Sequence, residues 1–227
     1  MNNTDLSVVN LNIFSFFMQT GISIKCIIIL LILFSIVTWS IIIQKTFGFV
    51  MIRRNFTDFE HLFWSGQSLE ELYKLLIDRN NIGLAAIFIS AMREWKKSLE
   101  KGSRSFEGIQ DRIDRMMNVA IAREFENIID QLSTLSIISS VGLLIGLLGT
   151  VLGIMDSLQM VMEHKHAGIA VISTGLIGSL ISMIIGLFVS IPSSVAYNKF
   201  TEDSRKLLVQ MEGFADEFSA IISRQIE

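Results

Sequence analysis

Three long stretches without a charged side chain dominate the pattern of hydrophobic and polar residues along this chain. A helix needs about 20 apolar residues to cross the hydrocarbon core of a bilayer, and all three stretches meet that requirement. We therefore predict an all-α membrane protein with three transmembrane helices. The stretches are 26–44 with nineteen residues, 131–155 with twenty-five and 167–198 with thirty-two.

Hydropathy places the transmembrane spans at 26–43, 136–158 and 169–197. The remaining segments are an N-terminal segment 1–25, a long segment 44–135, a turn 159–168 and a C-terminal segment 198–227. The third uncharged stretch is longer than a bilayer core requires, so its end around Pro192 is expected at the membrane interface. Pro192 removes one backbone hydrogen bond, and either a structural kink or a gating hinge would follow from that loss.

The segment between the first two spans has a helical pattern. Ser68 and Glu71 match a capping box at the start of one helix.

Further on, apolar residues at three- and four-residue spacing predict one continuous helix, roughly 108–158, that includes the second span. A similar stripe extends the third span. We predict that the two stripes pack on each other; the alternative is that each covers another helix. The stripes consist of Met117, Ile121, Phe125, Ile128, Leu132 and Leu135, and of Leu207, Met211, Phe214, Phe218 and Ile221.

Basic residues indicate the orientation of the spans. Of the nineteen Lys and Arg residues, seventeen lie in the segments 44–135 and 198–227. Cytoplasmic segments of membrane proteins carry an excess of Lys and Arg. We therefore predict that these two segments are cytoplasmic, and that the segment 1–25 and the turn 159–168 face the outer side.

Composition narrows the classes of function. Hydrophobic residues make up 51% of the chain and charged residues 18%, against about 25% charged residues in soluble domains. The net charge of −3 argues against a nucleic-acid-binding protein. The single cysteine, Cys26, excludes an intrachain disulfide and is expected to be a buried, inert thiol. Because the sequence has no nucleotide-binding loop, HExxH motif or nucleophile–base set, we predict a non-enzyme without a metal site or organic cofactor.

Small residues form a ridge on each of the two later spans. The glycines of the second span are spaced four, three and four residues apart, and the small residues of the third span are spaced four apart. In lipid, small side chains let helix backbones approach closely. The ridges predict tight helix contacts, either within one chain or between copies. They consist of Gly142, Gly146, Gly149 and Gly153, and of Gly178, Ser182, Gly186, Ser190 and Ser194.

Two polar residues of the second span are candidates for ion handling. Thr150 lies near the middle of the span, where its hydroxyl either bonds the carbonyl four residues earlier or lines a polar pore. Asp156 lies near the outer end, where it either handles ions or protons or is a solvated interfacial carboxylate. No span carries a charge near its middle, so a titrating carboxylate for proton transport is expected from a partner chain.

Two segments resemble a known family. GLLGTVLGIM at 146–155 and GLFVSIPSSVAYN at 186–198 are similar to the second- and third-span signatures of the TolQ/ExbB/MotA proton-channel superfamily. Within that superfamily the TolQ branch is the most similar, because 39–44, 63–66 and 217–225 also resemble its segments. The ExbB branch is second. The resemblance covers nearly the whole chain, including the order and spacing of the spans.

The resemblance implies a pentameric ring in the bacterial inner membrane, with a periplasmic N-terminus and a cytoplasmic C-terminus. It further implies that the second and third spans surround two single-span TolR-like helices, whose aspartate carries H⁺. The ring would use the proton-motive force to energise a TolA-like protein of the Tol-Pal system, supporting outer-membrane integrity and constriction during cell division. No organic cofactor is implied. An ExbB-like energiser of outer-membrane transport and a passive scaffold without proton flow are the alternatives.

The resemblance also carries over to single residues. Thr150 matches the pore threonine of the second span, whereas the carboxylate and threonine of the third-span pattern fall on Gly178 and Met183. Ser179 and Ser182 lie beside these positions and could supply replacement hydroxyls. The pore or proton path is therefore expected to include Thr150, Ser179, Ser182 and Met183, and the helix-packing residues to be Gly142, Gly146, Gly149, Gly153, Gly178, Gly186 and Pro192.

Overall fold

The computed structural model describes residues 21–78, 81–100, 106–163 and 169–226, and all regular secondary structure within these ranges is helical. Most of segment 1–25 and most of turn 159–168 lie outside the described residues. Three helical stretches are long and apolar enough to cross a membrane, which confirms the all-α class and the three predicted transmembrane helices. The helices are α1 (Ile22–Phe63), α2 (Leu69–Leu76), α3 (Leu84–Glu100), α4 (Phe106–Ile129), α5 (Leu132–Glu163) and α6 (Ile169–Ile226).

The chain divides into two compact units, and α1 and α6 contribute residues to both. The first unit contains the described residues up to Ser40 together with Thr134–Ala196. It therefore holds most of the three predicted spans. The second unit contains Ile41–Ser133 and the chain from Tyr197 onward, where most of the charged residues lie.

In the first unit, α1 has one buried and one exposed face. Ile24 and Ile27 are buried and lie against Gly153 and Gly149 of α5. The opposite face consists of large exposed apolar side chains, as expected for a helix surrounded by lipid. Cys26 is also exposed, so the prediction of a buried thiol was wrong. The pattern of an apolar helix does not show which of its apolar residues face the protein and which face the bilayer.

An aromatic cluster forms the core of the second unit. It joins α1, α3 and α6, with neighbouring ring centroids 5.3–6.0 Å apart. Phe214 and Phe218 of the α6 stripe thus pack on α1 and α3. That the two stripes also pack on each other stays a prediction. Helix α4 contacts α6 through polar groups, because the Ser219 hydroxyl donates to Asp114 at 2.8 Å. The members of the cluster are Phe59, Phe63, Phe88, Phe214 and Phe218.

The serine half of the predicted capping box is confirmed at the start of α2. Ser68 is the N-cap residue and has an extended backbone. Its hydroxyl accepts a hydrogen bond from the backbone N–H of Glu71 at 3.3 Å, which satisfies one of the free donors of the first turn. The short helix then buries Leu72, Tyr73 and Leu76.

The predicted continuous helix from 108 to 158 is interrupted, so that prediction was wrong. Helix α4 ends at Ile129 and α5 begins at Leu132, and Gln131 between them has a left-handed φ of 64°. The Lys45 ammonium of α1 donates to the carbonyl of Ile128 at 3.0 Å, so a tertiary contact satisfies the end of α4. The sequence pattern does not reveal this break, because residues 129–132 include neither glycine nor proline.

Lys45 is partly desolvated by this contact. It lies just beyond the predicted end of the first span at residue 43. Burial lowers the pKa of its ammonium below the ordinary value of 10.5, and the Asp130 carboxylate opposes that shift. A cation near the C-terminal carbonyls of α4 is favoured by the helix dipole.

Candidate functional site

Helices α5 and α6 of the first unit meet at backbone distance. A Cβ built on Gly186 would lie 2.9 Å from Cα of Gly146 and 3.0 Å from the carbonyl oxygen of Gly142. A Cβ on Gly146 would lie 3.1 Å from Cα of Gly186. Real Cβ atoms rarely have contacts this short, so both positions depend on glycine. The two small-residue ridges therefore pack on each other within one chain.

The other glycines of α5 continue this contact, which we call the α5–α6 seam. It consists of the pairs Gly142–Ser190, Gly146–Gly186, Gly149–Ser182 and Gly153–Ser179. Each step of three or four residues along α5 is matched by a step of three or four along α6 in the opposite direction. This is the register of two antiparallel helices packed through small residues.

Thr150 lies half-buried at the seam. Its hydroxyl donates to the carbonyl of Gly146, four residues earlier, at 3.2 Å. The carbonyl of Ser179 on α6 lies 3.5 Å from the same oxygen. The hydroxyl proton is thus directed toward backbone carbonyls, and the lone pairs of the oxygen are left to accept a hydrogen bond. The arrangement suits contact with a protonated donor, such as a carboxylic acid.

Ser179 and Ser182 are both completely buried. The Ser179 hydroxyl donates to the carbonyl of Leu176 at 2.7 Å. The Ser182 hydroxyl donates to the carbonyl of Ser179 at 2.8 Å and lies 3.4 Å from the carbonyl of Gly146. Both hydroxyls therefore point into the seam, where they satisfy backbone groups around Thr150.

Two further predicted positions, Gly178 and Met183, are the sequence neighbours of these serines on α6. Gly178 is buried and Met183 is half-buried. A Cβ on Gly146 would lie 3.4 Å from Cα of Met183. No Asp, Glu, His, Lys or Arg occurs in α5 before Asp156, or in α6 before Lys199. The central seam can accept and donate hydrogen bonds through hydroxyls, but it holds no group that takes up a proton at neutral pH.

Two buried hydroxyls of the first unit could not be identified from the sequence. Thr38 of α1 and Ser190 of α6 are buried, and their oxygens have no hydrogen-bond partner among the described residues. By contrast, the Ser193 hydroxyl donates to the carbonyl of Leu135 at 2.8 Å. Ser190 belonged to the predicted ridge, but residue spacing does not show whether a hydroxyl is satisfied. The signal for Thr38 was a polar residue within the apolar first span.

Comparison with known proteins shows which family the chain is similar to. Residues 83–213 match the model of the MotA/TolQ/ExbB proton channel family. The chain is 33% identical over 217 residues to the Tol-Pal system protein TolQ of Haemophilus influenzae, an alignment that covers 95% of both proteins. It is 30% identical to TolQ of Pseudomonas aeruginosa, covering 95% of this chain and 94% of that protein. It is 26% identical to the biopolymer transport protein ExbB of Salmonella typhimurium, covering 98% of this chain and 91% of that protein.

The matched region includes the seam and much of the second unit, and the two TolQ alignments extend over almost the whole chain. The similarity therefore reaches well beyond a shared preference for apolar helices. The chain belongs to the MotA/TolQ/ExbB proton channel family.

Proposed function

We propose that this protein is a TolQ-like subunit of a proton-conducting motor in the bacterial inner membrane. With a TolR-like single-span protein it uses the proton-motive force to energise a TolA-like protein, and so supports outer-membrane integrity and constriction during cell division. The support is the similarity to two Tol-Pal system proteins along 95% of the chain. H⁺ is the transported ion in this proposal, and no organic cofactor takes part.

The observation that carries this function is the position of Thr150. Among the predicted pathway hydroxyls, Thr150 is half-buried, whereas Ser179 and Ser182 are enclosed within the protomer. In our proposal the Thr150 oxygen accepts a hydrogen bond from the proton-carrying carboxylic acid of the TolR-like partner. Ser179 and Ser182 hold the seam in register behind it, and Met183 contributes an apolar part of the pathway wall.

The apolar surface of α6 supports assembly into a ring. Five large side chains at intervals of three or four residues are 51–75% exposed in the single chain. Such a stripe requires lipid or protein to cover it. We propose a homopentamer in which α5 and α6 surround the partner helices. The residues are Leu180, Ile184, Phe188, Ile191 and Val195.

The orientation follows from the charges. Seventeen of nineteen basic residues lie in 44–135 and 198–227, so we propose that these segments face the cytoplasm. The N-terminus is then periplasmic and the C-terminus cytoplasmic. A reporter fused near residue 3 that is active only in the cytoplasm would contradict this topology.

The test combines composition with a hydroxyl substitution. Native mass spectrometry of the complex, purified gently from membranes, should find five copies with copies of a single-span, aspartate-bearing partner. Thr150→Val keeps the shape of the side chain but removes the hydroxyl, and should cause envelope leakage without loss of assembly. Thr150→Ser should restore function. Thr57→Val is the matched control, because Thr57 also bonds the carbonyl four residues earlier but is exposed in the second unit.

A passive scaffold is the second candidate, because Gly178 and Met183 place no polar side chain on α6 at two positions of the seam region. In that case the complex would assemble normally, yet engagement of the TolA-like protein would be insensitive to an uncoupler. Sensitivity to an uncoupler, together with loss of function in Thr150→Val, would exclude the scaffold.

A further inference from the structure

Asp156 occupies an unusual position in the first unit. It is the single acidic residue of α5 between Leu132 and Met162, and its side chain is half-buried. An ionisable group in or beside a transmembrane helix is costly to desolvate, so it requires either a compensating partner or a function. The structure shows part of that compensation.

The carboxylate of Asp156 lies at the start of α1. A Cβ built on Gly21 would lie 2.7 Å from Oδ2 of Asp156, so the absence of a side chain at Gly21 leaves room for the carboxylate. Helix α1 begins one residue later, at Ile22. The first turn of a helix has free N–H groups and a partial positive charge, and both favour a nearby anion. Contacts of Ile24 with Gly153 and of Ile27 with Gly149 hold α1 against α5 here.

Among the described residues, few other ionisable groups lie close to Asp156 in sequence. On α1 the nearest is Lys25, one turn into the helix, and on α5 the next is Glu163, seven residues further on. Helix α6 contributes no Asp, Glu, His, Lys or Arg between Ile169 and Asn198. Among the described residues, Asp156 is therefore the carboxylate nearest in sequence to the seam. Its neighbour Gly153 contacts Ser179, and Thr150 lies six residues away, about 9 Å along the helix axis at 1.5 Å per residue.

We propose that Asp156 is the proton-accepting group at the outer end of the pathway, a role that rests on the proposed proton-conducting function. The carboxylate takes a proton from water at the membrane surface and becomes a neutral acid. It then releases the same proton toward the carrier carboxylate that meets Thr150, and returns to the anion. No other bond forms or breaks.

The alternative is that Asp156 only caps α1. Two substitutions separate these roles. Asp156→Asn keeps an oxygen that caps a helix as well as aspartate does, but it cannot carry a proton. Asp156→Ala removes both properties. Asp216→Asn is the charge-matched control, because Asp216 is an exposed carboxylate on α6 in the second unit.

The assay is proton flux in vesicles that contain the purified complex with its partner chains, driven by a potassium diffusion potential and reported by an enclosed pH-sensitive dye. The thermal stability and subunit composition of each variant are measured in parallel. Wild-type and Asp216→Asn complexes should conduct equally. Asp156→Asn and Asp156→Ala should each lose flux by about 100-fold, the scale of a positioned proton-transfer group. The thermal stability of the Asn variant should stay at the wild-type value.

Each other outcome has a defined meaning. If Asp156→Asn conducts like the wild type and Asp156→Ala is less stable to heat, Asp156 only caps α1. That result would overturn this assignment. Wild-type flux in both variants would overturn it as well. In either case the proton-conducting function would stand, because the wild-type complex conducts. An intact complex with its partners that conducts no protons would instead overturn the proposed function, and this assignment with it.

Discussion

The backbone contact between Gly146 and Gly186 makes a quantitative prediction about the seam. In Gly186→Ala, the new Cβ would lie 2.9 Å from Cα of Gly146 and 3.0 Å from the carbonyl oxygen of Gly142. Both neighbours are backbone atoms, so no side chain can rotate away and the helices must separate by about half an ångström. Such overpacking costs about 1–3 kcal/mol. The gain in helix propensity from glycine to alanine, about 1 kcal/mol, offsets part of this cost.

Gly213 supplies the matched control. It lies in the same helix, and a Cβ built on it meets nothing within 4 Å. Gly213→Ala should therefore benefit from the higher helix propensity of alanine without a packing cost, and stabilise the protein by about 1 kcal/mol. We expect Gly186→Ala to be less stable than Gly213→Ala by about 1–3 kcal/mol, which is the packing cost.

The assay is unfolding of the detergent-solubilised protein, followed by the fluorescence of its tryptophans. A difference of 1 kcal/mol shifts the midpoint of unfolding by about 2–4 °C in a chain of this size. The Gly186→Ala midpoint should lie below that of Gly213→Ala by at least this amount. Equal midpoints would refute the reasoning, because they would show that the α5–α6 seam does not require glycine at its closest approach.

Two further predictions concern the junction between α4 and α5. Gln131 has a φ of 64°, a conformation that costs a non-glycine residue about 1–2 kcal/mol, so Gln131→Gly should raise the free energy of unfolding by about 1 kcal/mol. Equal or lower stability of Gln131→Gly, measured by denaturant titration, would show that the break is not strained. Because burial lowers the pKa of Lys45, the folded state penalises the ammonium. This penalty is fully present below the folded-state pKa and disappears as the pH rises from there through 10.5. The stability of the wild type relative to Lys45→Met should therefore increase with pH in this window, and a difference that is constant from neutral to alkaline pH would contradict it.

Several local features could be predicted because their causes lie close together in the sequence. The capping box at Ser68 and Glu71 requires only four consecutive residues. The small-residue ridges of α5 and α6 require only helical periodicity, and two spans joined by a short turn are antiparallel neighbours. The seam then follows, because the ridges are the surfaces on which such helices pack most closely.

Other features could not be predicted because their causes lie on different helices. The break after Ile129 combines a left-handed Gln131 with an ammonium from α1, and Lys45 and Ile128 are 83 residues apart in sequence. Periodicity identified Phe214 and Phe218 as members of an apolar stripe, but it did not show that their neighbours would be aromatic residues of α1 and α3. The same limit applies to Asp156, because the sequence does not show that its carboxylate lies beside Gly21.

The sequence by itself determined the three membrane spans, the helical class and the family, because uncharged length, periodicity and local motifs are properties of contiguous residues. Only the tertiary structure decided which face of each helix is covered, how Thr150 and the buried serines are oriented, and where α4 ends. These depend on contacts between residues far apart in the chain. Their free energies arise from close packing, desolvation and hydrogen bonds that exist only when the helices are assembled.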